Sequence, residues 1–212
     1  MSLFDLGAPA SRAQFLSRGA KGGLALAVGG TVLAATTGVA SAAPRATAAP
    51  RTSRARSADV DIAKLAATAE LLAIDFYTQA IKSKTFKGDD LGYLLVAREA
   101  ERAHYDALAK VIGAGAPKGV KFAYPAKSFA TKKGIATLGV ALETAFVGAY
   151  LGAVTALESN DLKGVAASIA ASESQHLSVF SDIAKNQPIG GAFPAALTAD
   201  QALAAVKPFI AA

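Results

Sequence analysis

Both histidines of this 212-residue chain stand three residues after a glutamate. The two motifs are Glu101-Arg-Ala-His104 and Glu173-Ser-Gln-His176. On an α-helix this spacing places both side chains on one face, one turn apart, so that they can reach the same metal ion. Since the chain has only six glutamates, chance would produce both motifs in roughly one sequence in a thousand at random helical spacing. The motifs therefore predict helices that carry paired metal ligands.

Both motifs fall on the apolar faces of their predicted helices. The two series are 94, 97, 101, 104, 108, 111 and 162, 166, 169, 173, 176, 180, 183, and their other members are all apolar. Surface Glu and His residues would instead fall on the opposite, polar face. An ionised carboxylate that is buried without a partner is strongly destabilising. These positions therefore require a compensating group.

Two further apolar series each contain one glutamate. Glu70 and Glu143 are the acids, and each has a tyrosine seven residues later, Tyr77 and Tyr150. The interval between corresponding residues is 73 for these pairs and 72 for the Glu-x-x-His motifs, which indicates two copies of one helical hairpin. We interpret both tyrosines as core residues whose hydroxyls are hydrogen-bonded. The alternative is an auxiliary role for them beside the metal ions.

Four long helices are predicted, so the fold class is all-α. Their expected bounds are Ser57 or Asp59 to about Lys82, Asp89 to Gly113, Thr131 to Leu157, and Ser159 to about Asn186. Residues 113–130 contain too much Gly and Pro for a helix and predict a long crossover between the second and third helices. A short terminal helix is expected from Thr198 to near Pro208.

The first 42 residues resemble an export signal. Three basic residues in 11–21 precede an apolar run at 22–39, and Ala40-Ser41-Ala42 offers a cleavage site. Residues 11–16 are similar to the twin-arginine motif, with Ala13 at the second arginine position. The general secretory route and retention as an N-terminal membrane anchor stay open. We expect an exported protein, periplasmic, cell-envelope or secreted, with a flexible basic linker at 43–57 and one domain at 58–212.

The formal net charge of +6 is confined to the front of the chain. Residues 1–57 hold seven basic side chains and one acidic one, so residues 58–212 carry equal numbers of each. A nucleic-acid-binding domain usually carries a basic stripe, and we therefore expect no nucleic-acid partner. The absence of Cys excludes a disulfide framework and a Cys-ligated zinc site.

The four helices together offer a complete set of ligands for two metal ions. The candidate ligands are Glu70, Glu101, His104, Glu143, Glu173 and His176. Four carboxylates balance the charge of two divalent cations, which allows such a cluster to lie in an apolar interior with neutral imidazoles. Oxygen and imidazole ligands suit iron or manganese, and zinc is also compatible with them.

This ligand set resembles the ferritin-like superfamily, and most closely its exported group related to plant desiccation-response proteins. The resemblance covers about residues 58–210 and includes LETAFVGAYLGAV around Glu143 and the tail FPAALTADQALAAVKPFI. It implies a four-helix bundle with the long crossover between helices two and three. It also implies the roles of the ligands: the acids of the two motifs bridge two metals, each His binds one metal, and the other two acids cap the ends.

Two functions remain open for such a centre. The first is a di-iron or di-manganese oxidoreductase, similar to a ferroxidase or peroxidase, that acts on a small-molecule oxidant, peroxide or dioxygen, in stress protection. The second is a non-enzymatic envelope or stress protein whose metals only hold the bundle together. Iron storage in a large cage is less favoured, because a signal and a basic linker ahead of the first helix fit poorly in a closed shell.

Overall fold

The computed structural model describes residues 53–211, with side chains from Arg56 onward. The predicted signal segment and most of the predicted linker lie outside the described residues. Four long helices make up most of this part of the chain: α1 (Ser53–Lys82), α2 (Gly88–Ile112), α3 (Lys132–Ala156) and α4 (Asn160–Ala184). A short helix, α5 (Ala199–Val206), lies near the C-terminus. No strand occurs between residues 53 and 211, which confirms the all-α prediction.

The bundle consists of two helical hairpins. α1 packs mainly against α2, and α3 packs mainly against α4, while α1–α3 and α2–α4 contacts join the hairpins. The connection inside each hairpin is short, whereas residues 113–131 link the hairpins and contain only a short 3-10 turn at Gly113–Gly115. A long connection of this kind can run the length of a bundle. The predicted crossover and the repeat of one hairpin are both present.

Local sequence signals account for most of the helix ends. The Thr131 hydroxyl accepts a hydrogen bond from the Gly134 N–H at the start of α3, and Ser159 caps α4 in the same way. Gly113 caps the C-terminal end of α2, and its φ of 73° is a conformation that favours glycine. At α5, Thr198 and Gln201 form a capping box. These ends agree with the sequence prediction to within a few residues.

The start of α1 differs from the prediction. The helix begins at Ser53 rather than near Ser57, so the last residues of the predicted linker are helical. Ala and Arg in this stretch have high helix propensity, which explains the extension. Asp59 does not cap α1. Its buried carboxylate instead accepts hydrogen bonds from the backbone N–H groups of Glu158 (2.8 Å) and Ser159 (3.0 Å), at the start of α4.

An aromatic cluster fills one end of the core. Phe76, Tyr77 and Phe180 are fully buried, with ring centroids 5.4–5.6 Å apart. Among the described helices, α3 is the one long and apolar enough to cross a membrane by length and composition. Half of that apolar stretch is buried where α3 packs against the other helices. The apolar character of α3 therefore serves the core of the bundle.

The C-terminal strap, residues 195–211, closes over the bundle. Its Leu197 N–H donates to the carbonyl of Gly148 at 2.8 Å. Near its end, Ala123 N–H donates to Phe209 O (2.8 Å) and Ala211 N–H to Lys121 O (2.9 Å). A side chain at Gly152 would collide with the backbone oxygen of Leu197. The glycines of α3 thus allow the strap to lie directly on the helix backbone.

Candidate metal centre

All six predicted ligands meet inside the bundle. α1 and α3 supply one glutamate each, and α2 and α4 supply one Glu-x-x-His motif each; the residues are Glu70, Glu143, Glu101, His104, Glu173 and His176. The four glutamates are at most 2% exposed, although glutamate is almost never fully buried unless it is paired. The apolar periodicity of each helix explains this burial, because the acids occupy positions that face the core.

The first half of the cluster surrounds His104. Its Nδ1 lies 3.2 Å from Glu101 Oε2, 3.3 Å from Glu173 Oε1 and 3.5 Å from Glu70 Oε2. Three carboxylates from three helices thus converge on one imidazole nitrogen. A ring nitrogen carries at most one hydrogen, so it cannot satisfy three carboxylates.

The second half surrounds His176. Its Nδ1 lies 2.8 Å from Glu101 Oε1 and 2.9 Å from Glu173 Oε2. Glu143 completes this half, and the side chain of His176 is only 9% exposed, compared with 15% for that of His104. The His176 half is therefore the more enclosed of the two.

The two halves form two groups of four residues that could each hold a metal ion. One group is Glu70, Glu101, His104 and Glu173, and the other is Glu101, Glu143, Glu173 and His176. Within each group the potential ligand atoms lie within 4.8 Å of one another. Glu101 and Glu173 belong to both groups. Because a carboxylate has two oxygens, each shared acid can contribute one oxygen to either side.

Several carboxylate oxygens in the cluster lack a hydrogen-bond partner among the described residues. They are Glu70 Oε2, Glu101 Oε1, Glu143 Oε2 and Glu173 Oε1. Each histidine Nδ1 hydrogen-bonds Oε2 of the glutamate in its own motif. Oε1 of Glu101 and of Glu173 lies 2.8 and 3.3 Å from the other histidine's Nδ1 but receives no hydrogen, because each Nδ1 has at most one to donate. Buried oxygens without a donor are destabilising, and divalent cations bind to carboxylate oxygens and imidazole nitrogens. The donor set of each group thus fits a metal ion.

The electrostatics of the metal-free cluster show that protons supply the missing positive charge. Burial raises the pKa of Glu70 and of Glu143 well above the usual range. Burial disfavours a charged imidazole, yet hydrogen bonds to the surrounding carboxylates outweigh it and raise the pKa of His104 to about 12 and that of His176 well above its usual value. Burial likewise opposes ionisation of Glu101, but the two histidines, whose Nδ1 atoms lie within 3.2 Å of its carboxylate, hold its pKa at about 2.

Tyr77 and Tyr150 orient the two acids that belong to one group each. Tyr77 Oη donates to Glu143 Oε1 at 2.6 Å, and Tyr150 Oη donates to Glu70 Oε1. Each tyrosine therefore reaches the glutamate of the other hairpin, as the repeated sequence pattern would require. In both acids it is the second oxygen, Oε2, that faces the cluster without a hydrogen-bond partner.

Tyr93 is a residue of the site that the sequence analysis missed. Its hydroxyl lies 3.1 Å from the Tyr77 hydroxyl and donates to the backbone oxygen of His176 at 3.3 Å. Tyr93 precedes Glu101 by eight residues, which places it on the same helix face two turns earlier. The residue at the equivalent position of the second hairpin is Val165, so this contact exists in only one half of the cluster.

Two polar residues beside the first motif lie away from the cluster. Glu99 is exposed and pairs with Arg98 and Arg102 at 2.9–3.1 Å. Tyr105 donates a hydrogen bond to the carbonyl of Pro117 in the crossover at 2.8 Å. Neither residue contributes to the groups that could hold a metal.

Comparison with known proteins agrees with this architecture. A family model described as a ferritin-like domain matches residues 58–186, which is more than half of the chain. The matched region contains α2, α3, α4, nearly all of α1 and all six residues of the cluster. A search of curated proteins finds no match.

Proposed function

The chain belongs to the ferritin-like domain family, and we propose that it binds two divalent metal ions, iron or manganese, and uses them in redox chemistry with peroxide or dioxygen. The observation that carries this proposal is the sharing of Glu101 and Glu173 between two buried four-residue groups. Because both groups contain Glu101 and Glu173, the arrangement suits two neighbouring cations better than one cation.

The charge of the cluster supports two cations. Four buried carboxylates carry a charge of −4, and two divalent ions with neutral imidazoles give a neutral site, which removes the cost of burying unpaired charge. Zinc meets the same requirements of ligand type, but the four carboxylates favour the harder ions iron and manganese. When bound, two such ions would supply the two electrons that reduce peroxide to water.

The protein's own residues prepare the site in three ways. Tyr77 and Tyr150 fix one oxygen of Glu143 and Glu70, which leaves the other oxygen aimed at the cluster. The fully buried side chains around the His176 half, among them Phe180, keep bulk water away. The more exposed His104 half offers the shorter path to solvent for a small oxidant.

Ferrous iron oxidation is the direct test of the redox role. Metal-free chain is loaded with ferrous iron without air, peroxide is added, and the absorbance of ferric iron is followed. Each peroxide takes two electrons from two ferrous ions and two protons, and two water molecules result. We expect the wild type and Glu99→Gln to oxidise iron at the same rate, because Glu99 lies on the surface, and Glu101→Gln to lose most of the activity.

A structural role for the metals gives a different result. In that case metal loading raises the melting temperature, but the loaded chain oxidises no ferrous iron beyond the rate of iron in buffer. Such a result would refute the redox part of the proposal and leave the metal-binding part standing. Electron microscopy of the purified chain separates both from iron storage, which requires a closed shell.

We further propose that the chain is exported and acts outside the cytoplasm, as the pattern in residues 11–42 suggests. N-terminal sequencing of the protein from its native host tests this, with Ala43 expected as the first residue. An intact Met1 on membrane-bound protein would favour the anchor instead. The narrower placement in the group related to desiccation-response proteins stays a prediction.

A further inference from the structure

An apolar pocket of about 280 Å³ lies between α1, α3 and the C-terminal strap. Alanine side chains and glycine backbone form most of its walls, including Ala66 on α1 and Ala149 and Gly152 on α3. The strap closes one side with Leu197 and Ala202. The pocket is partly open to solvent, because Thr155, Ala156 and Ala199 of its lining are exposed.

The pocket is directly behind the metal cluster. Tyr150 forms part of its wall, and the hydroxyl of the same ring donates to Glu70 Oε1. One face of Tyr150 thus meets the pocket while its tip meets a predicted metal ligand. The ring is 3% exposed, so its position depends on what packs against it.

The polar groups on the wall are already engaged. The Tyr150 hydroxyl bonds to Glu70, the Thr155 hydroxyl donates to Gly152 O at 2.8 Å, and the Thr198 hydroxyl accepts from Gln201 N–H at 3.3 Å. Among the described residues, no Lys, Arg, Asp, Glu or His contributes to the lining. A charged ligand would lose its hydration here without compensation, so the pocket selects uncharged apolar molecules.

The volume sets the size of the ligand. An apolar protein cavity of roughly 150 Å³ accommodates benzene. By proportion, a pocket of about 280 Å³ accommodates roughly ten or eleven carbon atoms, the size of a bicyclic aromatic molecule or a short acyl chain.

We propose that this pocket is a binding site for a small uncharged apolar molecule, and that Tyr150 couples its occupancy to the carboxylate cluster. The binding part stands on the pocket alone. The coupling part rests on the proposed metal-binding function, because it acts through Glu70.

Titration calorimetry with naphthalene tests the binding part on the full, metal-free chain. We expect saturable binding of one naphthalene per chain and no binding of naphthalene-2-sulfonate, which has the same ring system but carries a charge. Equal affinity for both compounds would overturn the proposed ligand class. Absence of naphthalene binding would overturn the site.

Two pairs of variants locate the binding in this pocket. Ala149→Leu fills it and should weaken naphthalene binding about tenfold or more, whereas Ala141→Leu, at an exposed position of the same helix, should leave it unchanged. Gly152→Ala drives the strap off α3 because its side chain meets the Leu197 backbone, and it should also weaken binding. Gly164→Ala adds its side chain in open space on α4 and serves as the control. Undiminished binding by folded Ala149→Leu or Gly152→Ala would refute the location.

Cobalt absorption tests the coupling part. Co²⁺ is loaded in place of the native metal, and its visible spectrum is recorded with and without naphthalene. We expect saturating naphthalene to change the spectrum of the wild type but not that of Tyr150→Phe, which keeps the ring but lacks the hydroxyl that contacts Glu70. An unchanged wild-type spectrum would refute the coupling. Failure of Co²⁺ to bind would instead refute the proposed metal centre, while naphthalene binding would still test the pocket.

Discussion

Replacing Glu101 by Gln should destabilise the metal-free protein by about 3 kcal/mol at neutral pH. Glu101 is fully buried and lies within 3.2 Å of both histidine Nδ1 atoms. Its pKa is held at about 2, compared with an ordinary value of 4.5, which corresponds to roughly 3 kcal/mol of stabilisation of the ionised form. Loss of one partner from a buried ion pair typically costs about the same, roughly 3–5 kcal/mol.

The sign of this effect fixes its pH dependence. Because the folded-state pKa of Glu101 is depressed, its stabilisation is present above the unfolded-state value of 4.5 and is lost as pH falls through about 2. The difference between wild type and Glu101→Gln should therefore shrink in acid.

Urea unfolding of chelator-treated protein measures this difference in the free energy of unfolding. Glu99→Gln is the matched control, since it removes an exposed carboxylate two residues away and should have no measurable effect. Equal unfolding midpoints for Glu101→Gln and Glu99→Gln at neutral pH would show that the two histidines do not stabilise an ionised Glu101 in the metal-free protein.

Four further predictions concern proton release, pH, a helix start and the core. Metal binding should release about two to four protons per chain, because the pKa values of both histidines and of Glu70 and Glu143 are raised in the metal-free protein. Calorimetry in buffers of different ionisation enthalpy counts these protons. Release of no proton would show that these groups are not protonated before metal binds. Groups with a raised pKa stabilise the metal-free fold fully below their unfolded-state pKa and lose that effect progressively as pH rises towards the folded-state value, which is about 12 for His104. The gap in melting temperature between metal-loaded and metal-free protein should therefore already widen from about pH 5 to pH 8. Asp59→Asn should destabilise the fold by about 1–3 kcal/mol, because an amide oxygen replaces a carboxylate that accepts from two N–H groups at the start of α4. Hydrogen exchange at the Ser159 N–H should become faster in this variant. Asp61→Asn, at an exposed position, should leave that exchange rate unchanged. Phe180→Ala should lower the free energy of unfolding in urea by about 3–5 kcal/mol, since the Phe180 ring is fully buried. Phe193→Ala, at a side chain that is 95% exposed, should leave the free energy of unfolding almost unchanged. Similar losses for both variants would contradict the placement of Phe180 in the core.

The parts of the fold that the sequence predicted are those governed by periodicity along one helix. The apolar series that contain Glu70, Glu101, Glu143 and Glu173 give the helix faces directly, because residues three and four apart share a side of the helix. Once each face is known, four buried acids leave few arrangements other than one common cluster. The repeat intervals of 72 and 73 residues then predicted two similar hairpins, and the reciprocal Tyr77–Glu143 and Tyr150–Glu70 contacts follow from that symmetry.

The features that the sequence did not predict depend on contacts between distant segments. Asp59 has the residue type and position of a cap for its own helix, yet it bonds to Ser159, 100 residues away. Only the tertiary structure distinguishes these two uses of the same side chain. Gly148 and Gly152 likewise look like weak points of α3 until the strap lies against them.

Tyr93 shows a third limit. It lies on the same face as Glu101, but the second hairpin has Val165 at the corresponding position, so the repeat that revealed the other site residues gave no signal there. Its contacts with Tyr77 and with the His176 backbone make the two halves of the cluster chemically unequal. Residues that break the internal symmetry can be recognised only from the structure.

The number of metal ions bound per chain tests the central claim most directly. Native mass spectrometry of the metal-free chain titrated with Mn²⁺ or, without air, Fe²⁺ reports this number for each variant. The shared acids Glu101 and Glu173 and the separate acids Glu70 and Glu143 predict two ions per wild-type chain, and weakened binding of both ions in Glu173→Gln. A wild-type chain that binds no ion, or that saturates at one, would contradict a two-metal centre.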